Sequence, residues 1–416
     1  MTSEVAILNK FAVVLAADSA VTTGMPGREK IWVSANKIFT LSKFAPIGIM
    51  IFGYVEFQGI PWETIIKKFR HEIKDTKYDT VQEYAERFIS YLNNNYLDDK
   101  QQEDISNFGF HMEVLTDIKN GALKLGKING ETIKKSSENL IEELIKVDTI
   151  KEFSQLTKKE FNKNNDHIQK CYEIVFKDYK VPRKISPSII DACRMFLIHQ
   201  HQSNLFTGIA ITGFGEKELL PSLLVYTVDG SYNGQIRYFL DKKFHTQKES
   251  QNSVFVGAFA QHGPVYHFME NVSDDYQSYI RSYLEKIIKS YTKEILDKHT
   301  SYSKVQKTLI HKLCEDSVNK IMTEFDENSG NYRRRTSSQP IIRVIRSAPK
   351  EELASIAEAL ISMASLRNRV SGELETVGGP VDVAVISKGD GFIWVKRKHY
   401  FNAVLNPNFV QNYFRN

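Results

Sequence analysis

The sequence contains little cysteine, and this scarcity excludes several kinds of protein. Its three cysteines, Cys171, Cys193 and Cys314, are far apart among 416 residues, without a Cys-x-x-Cys pair or a combined Cys/His zinc spacing. We therefore expect no disulfide framework and no metal site. This cysteine usage also favours a reducing, cytoplasmic location.

Long hydrophobic runs are also lacking. The longest apolar runs, residues 11–17 and 46–55, are far shorter than the ~20 residues that a membrane helix requires. The N-terminus lacks a basic region followed by an apolar one, so we expect neither a signal peptide nor a membrane span. Both apolar runs are instead typical of buried strands.

The charge is nearly balanced. The 55 basic and 50 acidic side chains leave a net charge of +5, an excess too small to imply a nucleic-acid partner. No phosphate-binding loop occurs, so any dependence on ATP would require a separate partner protein. Hydrophobic residues make up 42% of the chain, which is sufficient for a large core without a metal or a cofactor.

Predicted strands and helices follow one another in blocks. Strands, among them 3–8 and 47–52, fill most of the first 55 residues. Two helices begin near residues 61 and 80, the second capped by Thr80 with Glu83 three residues on. A Lys/Glu-rich helical segment covers 131–202. Strands resume within 207–258, two long helices follow, and a last helix and a hairpin complete the pattern. Blocks of strands and blocks of helices, without strict alternation, favour an α+β fold.

Two stretches are expected to interrupt the helical segments. Residues 108–125 contain Asn120-Gly121, a dipeptide typical of hairpin turns, and therefore predict a β-hairpin. Residues 326–339 are polar and include the arginines 333–335, which predicts a loop.

Four short segments near the N-terminus carry the strongest functional signal. They are 2–7 (TSEVAI), 13–19 (VVLAADS), 36–38 (NKI) and 48–53 (GIMIFG). Together they resemble the start of a proteasome β subunit and of its bacterial relative HslV. Those families begin the mature chain with Thr, followed by a strand ending in Ala-Ala-Asp-Ser, a strand beginning with Lys and a strand ending in Gly. The resemblance covers about the first 70 residues and returns weakly at 213–230 and 378–395.

The resemblance implies an N-terminal-nucleophile (Ntn) hydrolase, and the residues support that chemistry independently. Once Met1 is removed, the free amine of Thr2 can act as the base that activates the Thr2 hydroxyl. Lys37 would lower the cost of forming the alkoxide, and Asp18 would be the partner of that buried cation. Gly53, at a strand end, allows close backbone approach and is the candidate oxyanion-hole donor. The alternative is that Asp18 and Lys37 form only a strand-end ion pair.

The auxiliary positions of the family are only partly kept. In the family, a mid-chain Gly-Ser and a late Asp-x-x-Ser-Gly-Gly motif support the nucleophile. The mid-chain match, 256–258, reads Val-Gly-Ala and lacks the serine. The late match keeps its Gly-Gly, beginning at Gly378, but has Val377 in place of the serine and no aspartate. Glu373 or Glu375 could substitute for that aspartate, or both could be ordinary exposed loop carboxylates.

The resemblance also implies which residues line the specificity pocket. The corresponding positions here are apolar: Val21, Ala35, Ile51 and Val55. A pocket of this composition would favour a hydrophobic side chain before the cut bond. The alternative interpretation is that these four residues belong to the ordinary core.

The fold implied by the resemblance is the four-layer αββα sandwich of the Ntn hydrolases, with large helical insertions. Residues 1–96 would form the N-terminal part of its core, 206–264 the middle strands, and 346–416 the C-terminal part and a tail. Residues 97–205 would be a mostly helical insertion, and 265–345 a helical segment with a polar loop.

The implied function is hydrolysis of peptides or other amides through an acyl-enzyme on Thr2. The expected partners are a peptide or protein substrate, further copies of the chain in a homo-oligomer, and a separate ATP-dependent unfoldase. Two alternatives remain open. One is a catalytically inactive proteasome-like scaffold or sensor subunit, which the loss of the auxiliary serines favours. The other is a small-molecule amidohydrolase whose site the insertions cap.

Overall fold

The protein divides into two compact units that each draw on separate parts of the chain. Unit 1 is formed from residues within 1–35, 250–384 and 394–416, and unit 2 from residues within 36–249 and 385–393. The predicted core segment 1–96 is thus divided between the two units after residue 35. The computed structural model describes residues 3–23, 30–97, 99–162, 165–244, 246, 254–298, 303–371, 377–399 and 401–408.

The strands form two five-stranded sheets and two short ribbons. The pairs whose register is described are antiparallel. In chain order the strands are β1 (Ser3–Leu8), β2 (Val13–Ala17), β3 (Val21–Thr23), β4 (Lys30–Trp32), β5 (Ile38–Thr40), β6 (Ile47–Gly53), β7 (Glu56–Phe57), β8 (Ile60–Pro61), β9 (Thr207–Gly213), β10 (Ser222–Tyr232), β11 (Gln235–Leu240), β12 (Phe255–Ala260), β13 (Asp382–Ser387) and β14 (Gly391–Lys396).

Helices account for 52% of the described residues and strands for 20%, a mixture of helices and antiparallel sheets that agrees with the predicted α+β class. The helices are α1 (Trp62–Ile73), α2 (Val81–Asn95), α3 (Lys100–Lys124), α4 (Gly130–Leu144), α5 (Lys158–Phe161), α6 (Asn165–Val175), α7 (Pro187–Ile198), α8 (Gly263–Glu270), α9 (Asp274–Lys298), α10 (Lys304–Arg333), α11 (Gln339–Ser347) and α12 (Lys350–Val370). Short 3-10 turns occur at Lys151–Phe153 and Ala403–Leu405.

The sheet with strand order β12-β1-β2-β13-β14 lies mainly in unit 1, which holds β12, β1, β2 and parts of β13 and β14. The inner strands β1 and β2 are buried along their whole length, which explains their largely apolar sequence. Helix α12 packs on both of them. This helix presents Leu353, Ala357, Leu360, Ile361 and Ala364 as buried residues at helical spacing, as expected for one apolar face.

The turn between β1 and β2 is fixed by one buried side chain. Asn9 donates from Nδ2 to the carbonyl oxygens of Ile345 and Ala348, each at 3.0 Å. Its Oδ1 accepts from the N–H groups of Phe11 at 2.8 Å and Ala12 at 3.2 Å. Asn9 thereby satisfies backbone groups of the hairpin and of the junction between α11 and α12 at once.

Unit 2 is built on the sheet with strand order β11-β10-β9-β6-β5. Helices α1 and α2 cover it and share one hydrophobic core with strands β5, β6, β9 and β10. Thr80 caps α2 by accepting from the N–H of Glu83 at 3.2 Å, the cap that the sequence predicts. The core includes Ile49, Ile66, Phe88 and Ile211.

Helices α3 to α7 lie in the segment 97–205, for which the sequence predicts a mostly helical insertion, and they share a second hydrophobic core with Tyr232 of β10. The hairpin predicted at 108–125 is wrong, because this stretch lies within the single helix α3. Gly121 serves close packing instead of a turn: a Cβ atom there would lie 2.2 Å from Ser136 Oγ of α4. Glycine occurs both in turns and where two helices pack closely, so the sequence alone does not distinguish the two roles.

A buried ion pair joins this insertion to the second sheet within unit 2. Arg237 of β11 and Asp229 of β10 are paired, and both side chains are fully buried. The guanidinium also donates to four main-chain carbonyls at the end of α7 and just beyond it, and Asp229 accepts from the N–H of Ser203 at 3.1 Å. The four carbonyls are those of Phe196, Leu197, His199 and His201.

The polar loop predicted at 326–339 is also wrong. Helix α10 continues to Arg333, and Arg334–Ser338 form a π-helical turn that leads into α11. Polar contacts within unit 1 hold this turn: Asn271 donates to Ser337 Oγ at 3.0 Å, and Ser338 donates to the carbonyl of Met269 at 3.2 Å. An exposed helix and a polar loop have the same composition, so composition alone does not separate them.

Candidate active site

Asp18 directly follows β2 in unit 1, and its carboxylate is 1% exposed. Oδ1 accepts from the N–H of Ser3 at 3.1 Å, and Oδ2 accepts from the N–H of Gly378 at 2.8 Å and of Ala20 at 3.4 Å. The N–H of Asp18 in turn donates to the carbonyl of Ser3 at 3.1 Å. Backbone donors therefore compensate the buried negative charge and hold it beside the first residue of β1.

The late Gly-Gly segment is attached to the same corner of unit 1. The N–H of Ser19 donates to the carbonyl of Gly378 at 3.1 Å, and the Ser19 hydroxyl donates to the carbonyl of Pro380. Val377, at the position where the resemblance expects a serine, is buried and donates its N–H to Asn368 Oδ1 at 3.3 Å. Two distant sequence signals, around 18–19 and 378–380, thus come together in space.

Lys37 and Gly53 belong to unit 2. Lys37 precedes β5 and is 6% exposed, and its carbonyl accepts from the N–H of Ile51 on β6 at 2.8 Å. Gly53 ends β6 with a φ of +85°, and a Cβ atom there would lie 2.5 Å from the carbonyl oxygen of Phe206. Only glycine fits this strand end, because its φ is positive and the Phe206 carbonyl lies close by. The oxyanion-hole role of Gly53 stays a prediction.

The four predicted pocket residues are divided between the units. Val21 and Ala35 lie in unit 1, half-buried, and the N–H of Ala35 donates to the carbonyl of Ser19 at 3.0 Å. In unit 2, Ile51 is buried in the hydrophobic core, whereas Val55 is 41% exposed. The environment of Ile51 favours the alternative interpretation, ordinary core, for that residue.

The predicted mid-chain auxiliary position lies on β12. Gly257 pairs with Ala6 and Ala258 with Val5 on β1, so this strand is a direct neighbour of the one that follows Thr2 in sequence. Ala258, at the position where the resemblance expects a serine, is buried and offers no hydroxyl. Three predicted site residues, Thr2, Glu373 and Glu375, lie outside the described residues.

A cluster of metal-ligating side chains escaped the sequence analysis. His111 on α3 and His167 and Cys171 on α6 place one ligand atom each within 4.8 Å of one another. Burial lowers the pKa of His111 to about 3, with a further contribution from His167, and burial raises the pKa of the Cys171 thiol to about 11. The spacing of His167 and Cys171, four residues apart on one helix face, was the available signal. The hairpin predicted at 108–125 concealed the third ligand.

Comparisons with known proteins add no relative to this picture. No protein-family model matches the chain, and a search of curated proteins finds no match. Within the described ranges, every helix is too short or too polar to cross a membrane. The function is therefore inferred from the residues and contacts above.

Proposed function

We propose that this chain is an Ntn-type hydrolase of peptides or other amides, with Thr2 as its nucleophile after removal of Met1. The position of Asp18 carries the proposal. Its buried carboxylate accepts from Ser3, the residue after Thr2, and from Gly378, 360 residues away in the late Gly-Gly segment. The resemblance implies that the segment around Asp18 and the late Gly-Gly segment both support the nucleophile.

In the proposed reaction, the free amine of Thr2 takes the proton of the Thr2 hydroxyl as the oxygen attacks the substrate carbonyl. Lys37 stabilises the alkoxide, and the backbone N–H at Gly53 stabilises the oxyanion of the tetrahedral intermediate. The proton passes to the leaving amine, which departs and leaves an ester on Thr2. The Thr2 amine then deprotonates a water molecule, which hydrolyses the ester and restores the Thr2 hydroxyl.

The proposal includes the four-layer αββα sandwich as the fold. Each unit, considered by itself, supplies what half of such a sandwich needs. Unit 1 has most of a five-stranded sheet with α12 packed on it, and unit 2 has a five-stranded sheet covered by α1 and α2.

The decisive experiment is intact mass spectrometry of the purified chain, with and without an epoxyketone that reacts with N-terminal threonine. We expect loss of Met1 and a single adduct that maps to Thr2. The Thr2→Ala and Lys37→Met variants should remain unlabelled. Thr323→Ala is the matched control, because Thr323 is an exposed threonine on α10 and its loss should leave labelling intact.

A second candidate function, a catalytically inactive proteasome-like scaffold or sensor, is favoured by one observation. Both positions at which the family has auxiliary serines, Val377 and Ala258, carry buried apolar side chains, each 2% exposed. Retention of Met1, or a free Thr2 that the epoxyketone does not label, would replace the hydrolase proposal by this one.

The substrate and the assembly are further parts of the proposal. Fluorogenic peptides with a hydrophobic residue before the cut bond should be cleaved faster than basic or acidic ones if Val21 and Ala35 line the pocket. Digestion of casein would favour a peptidase, and turnover of small acyl amides alone would favour a small-molecule amidohydrolase. Native mass spectrometry would test the proposed homo-oligomer, and ATP-dependent degradation would require the proposed separate unfoldase.

A further inference from the structure

The helical insertion contains a set of side chains that can bind a metal ion. His167 and Cys171 are four residues apart on α6 and therefore lie on the same helix face. His111 of α3, which packs against α6, lies opposite them, with 3.1 Å between His111 Nδ1 and His167 Nδ1. The three ligand atoms, two imidazole nitrogens and one sulfur, all lie within 4.8 Å of one another.

These distances suit a single tetrahedral ion. Zinc binds imidazole nitrogen at about 2.0–2.1 Å and thiolate sulfur at about 2.3 Å. Two nitrogens on one tetrahedral zinc are consequently about 3.3 Å apart, and a nitrogen and a sulfur about 3.5 Å. The observed 3.1 Å between the two imidazoles is already close to this spacing, so small shifts of the side chains would complete the geometry.

The surroundings of these ligands are largely apolar. Cys171 is fully buried and His111 is 4% exposed, and both lie within or against the apolar core of the insertion. One aromatic ring lies beside each imidazole: Phe161 beside His111 and Phe108 beside His167, with ring centroids 6.2 and 5.9 Å apart. Low polarity of this kind strengthens binding between a cation and a thiolate, and the partial exposure of His167 allows a water molecule to reach the ion.

We propose that His111, His167 and Cys171 bind one zinc ion that links α3 to α6 within the insertion. A mixed nitrogen and sulfur ligand set suits zinc better than magnesium or calcium, which prefer oxygen ligands. On binding, the Cys171 thiol releases its proton to solvent, both imidazoles bind as neutral rings, and the fourth position takes a water molecule. This site is independent of the proposed hydrolase reaction.

The test uses the full chain after chelation and re-addition of zinc, followed by gel filtration and elemental analysis. Wild type should hold close to one zinc ion per chain. Cys171→Ala and His167→Gln should lower the affinity by roughly 100-fold or more, because loss of an outer-shell partner alone costs about 10–100-fold. Cys193→Ala and His71→Gln are the matched controls, since Cys193 is buried in the same core and His71 is exposed, and both lie outside the cluster.

Cobalt replacement provides a second readout, which can be made on the wild type alone and extended to the variants. A Co²⁺-loaded wild type should show a thiolate-to-metal charge-transfer band, retained in Cys193→Ala and absent from Cys171→Ala. Wild type that keeps less than about a tenth of an equivalent of zinc would overturn the proposal. So would zinc binding unchanged in Cys171→Ala and His167→Gln. If a variant fails to fold, a cobalt-loaded wild type without the charge-transfer band would overturn it equally.

Discussion

Replacement of Arg237 by methionine should destabilise unit 2 more than any exposed substitution. Methionine keeps much of the apolar length but removes every donor. Asp229 would then remain as a fully buried carboxylate whose described partner is the N–H of Ser203. The carbonyls of Phe196 and Leu197, in the last turn of α7, would lose the guanidinium that satisfies them, whereas the carbonyl of His199 keeps the N–H of His201 as a donor at 2.7 Å.

The expected magnitude follows from the uncompensated charge. Removal of one partner of a buried ion pair typically costs about 3–5 kcal/mol. Each carbonyl that loses its donor adds at most about 1–3 kcal/mol. The total is smaller than the sum of these separate costs, because the costs of neighbouring groups are not additive. Domains are usually stable by only about 5–15 kcal/mol. Asp229→Asn combined with Arg237→Met should recover part of the loss, because the buried charge is then absent.

Hydrogen–deuterium exchange at residues 196–203 is the appropriate assay, because a chain with two units need not unfold in one step. Arg237→Met should accelerate exchange there and lower the urea midpoint. Lys242→Ala, which breaks an exposed ion pair with Asp148, is the control and should change neither. Wild-type exchange in Arg237→Met would refute the reasoning that these contacts stabilise the junction.

Three further predictions concern other buried polar groups. Asn9→Ala should lower the free energy of unfolding of unit 1 by about 1–3 kcal/mol, because two carbonyls and two N–H groups lose their partner; urea titration measures it. Asp18→Asn removes the charge that accepts from three N–H groups and should cost about 1.5–3 kcal/mol by the same titration. Burial raises the pKa of Glu113 from 4.5 to about 7, so the folded state binds the extra proton and stability should fall as pH rises from 4.5 to about 7. Glu113→Gln should flatten that dependence, and an unchanged slope would contradict the assignment.

The first 95 residues could be predicted well because their structure is determined locally. The expected strands at 3–8 and 47–52 correspond to Ser3–Leu8 and Ile47–Gly53, and the cap at Thr80 is present. Buried strands need long apolar runs, and helix caps need particular side chains, so both leave a direct trace in the sequence.

Tertiary contacts explain where the predictions failed. Gly121 was interpreted as a turn residue, but its small size accommodates Ser136 of a neighbouring helix. The polar stretch at 326–339 is helical and is held by contacts with 269–271, which its own composition does not reveal. The cluster formed by His111, His167 and Cys171 joins positions 56 residues apart, and no local spacing specifies that pairing. The roles of Thr2, Glu373 and Glu375 stay predictions.

The order of strands in the first sheet has a consequence for biosynthesis. β1 and β2 are synthesised before β12 and β13, the two strands between which they lie in the sheet. Ser3 pairs with Ala260, 257 positions later, and at ~5–20 residues per second this partner is made roughly 13–50 s afterwards. During that interval both edges of the nascent hairpin lack their final neighbours and expose apolar strands. The yield of folded protein should therefore depend on how well a chaperone at the ribosome protects this segment.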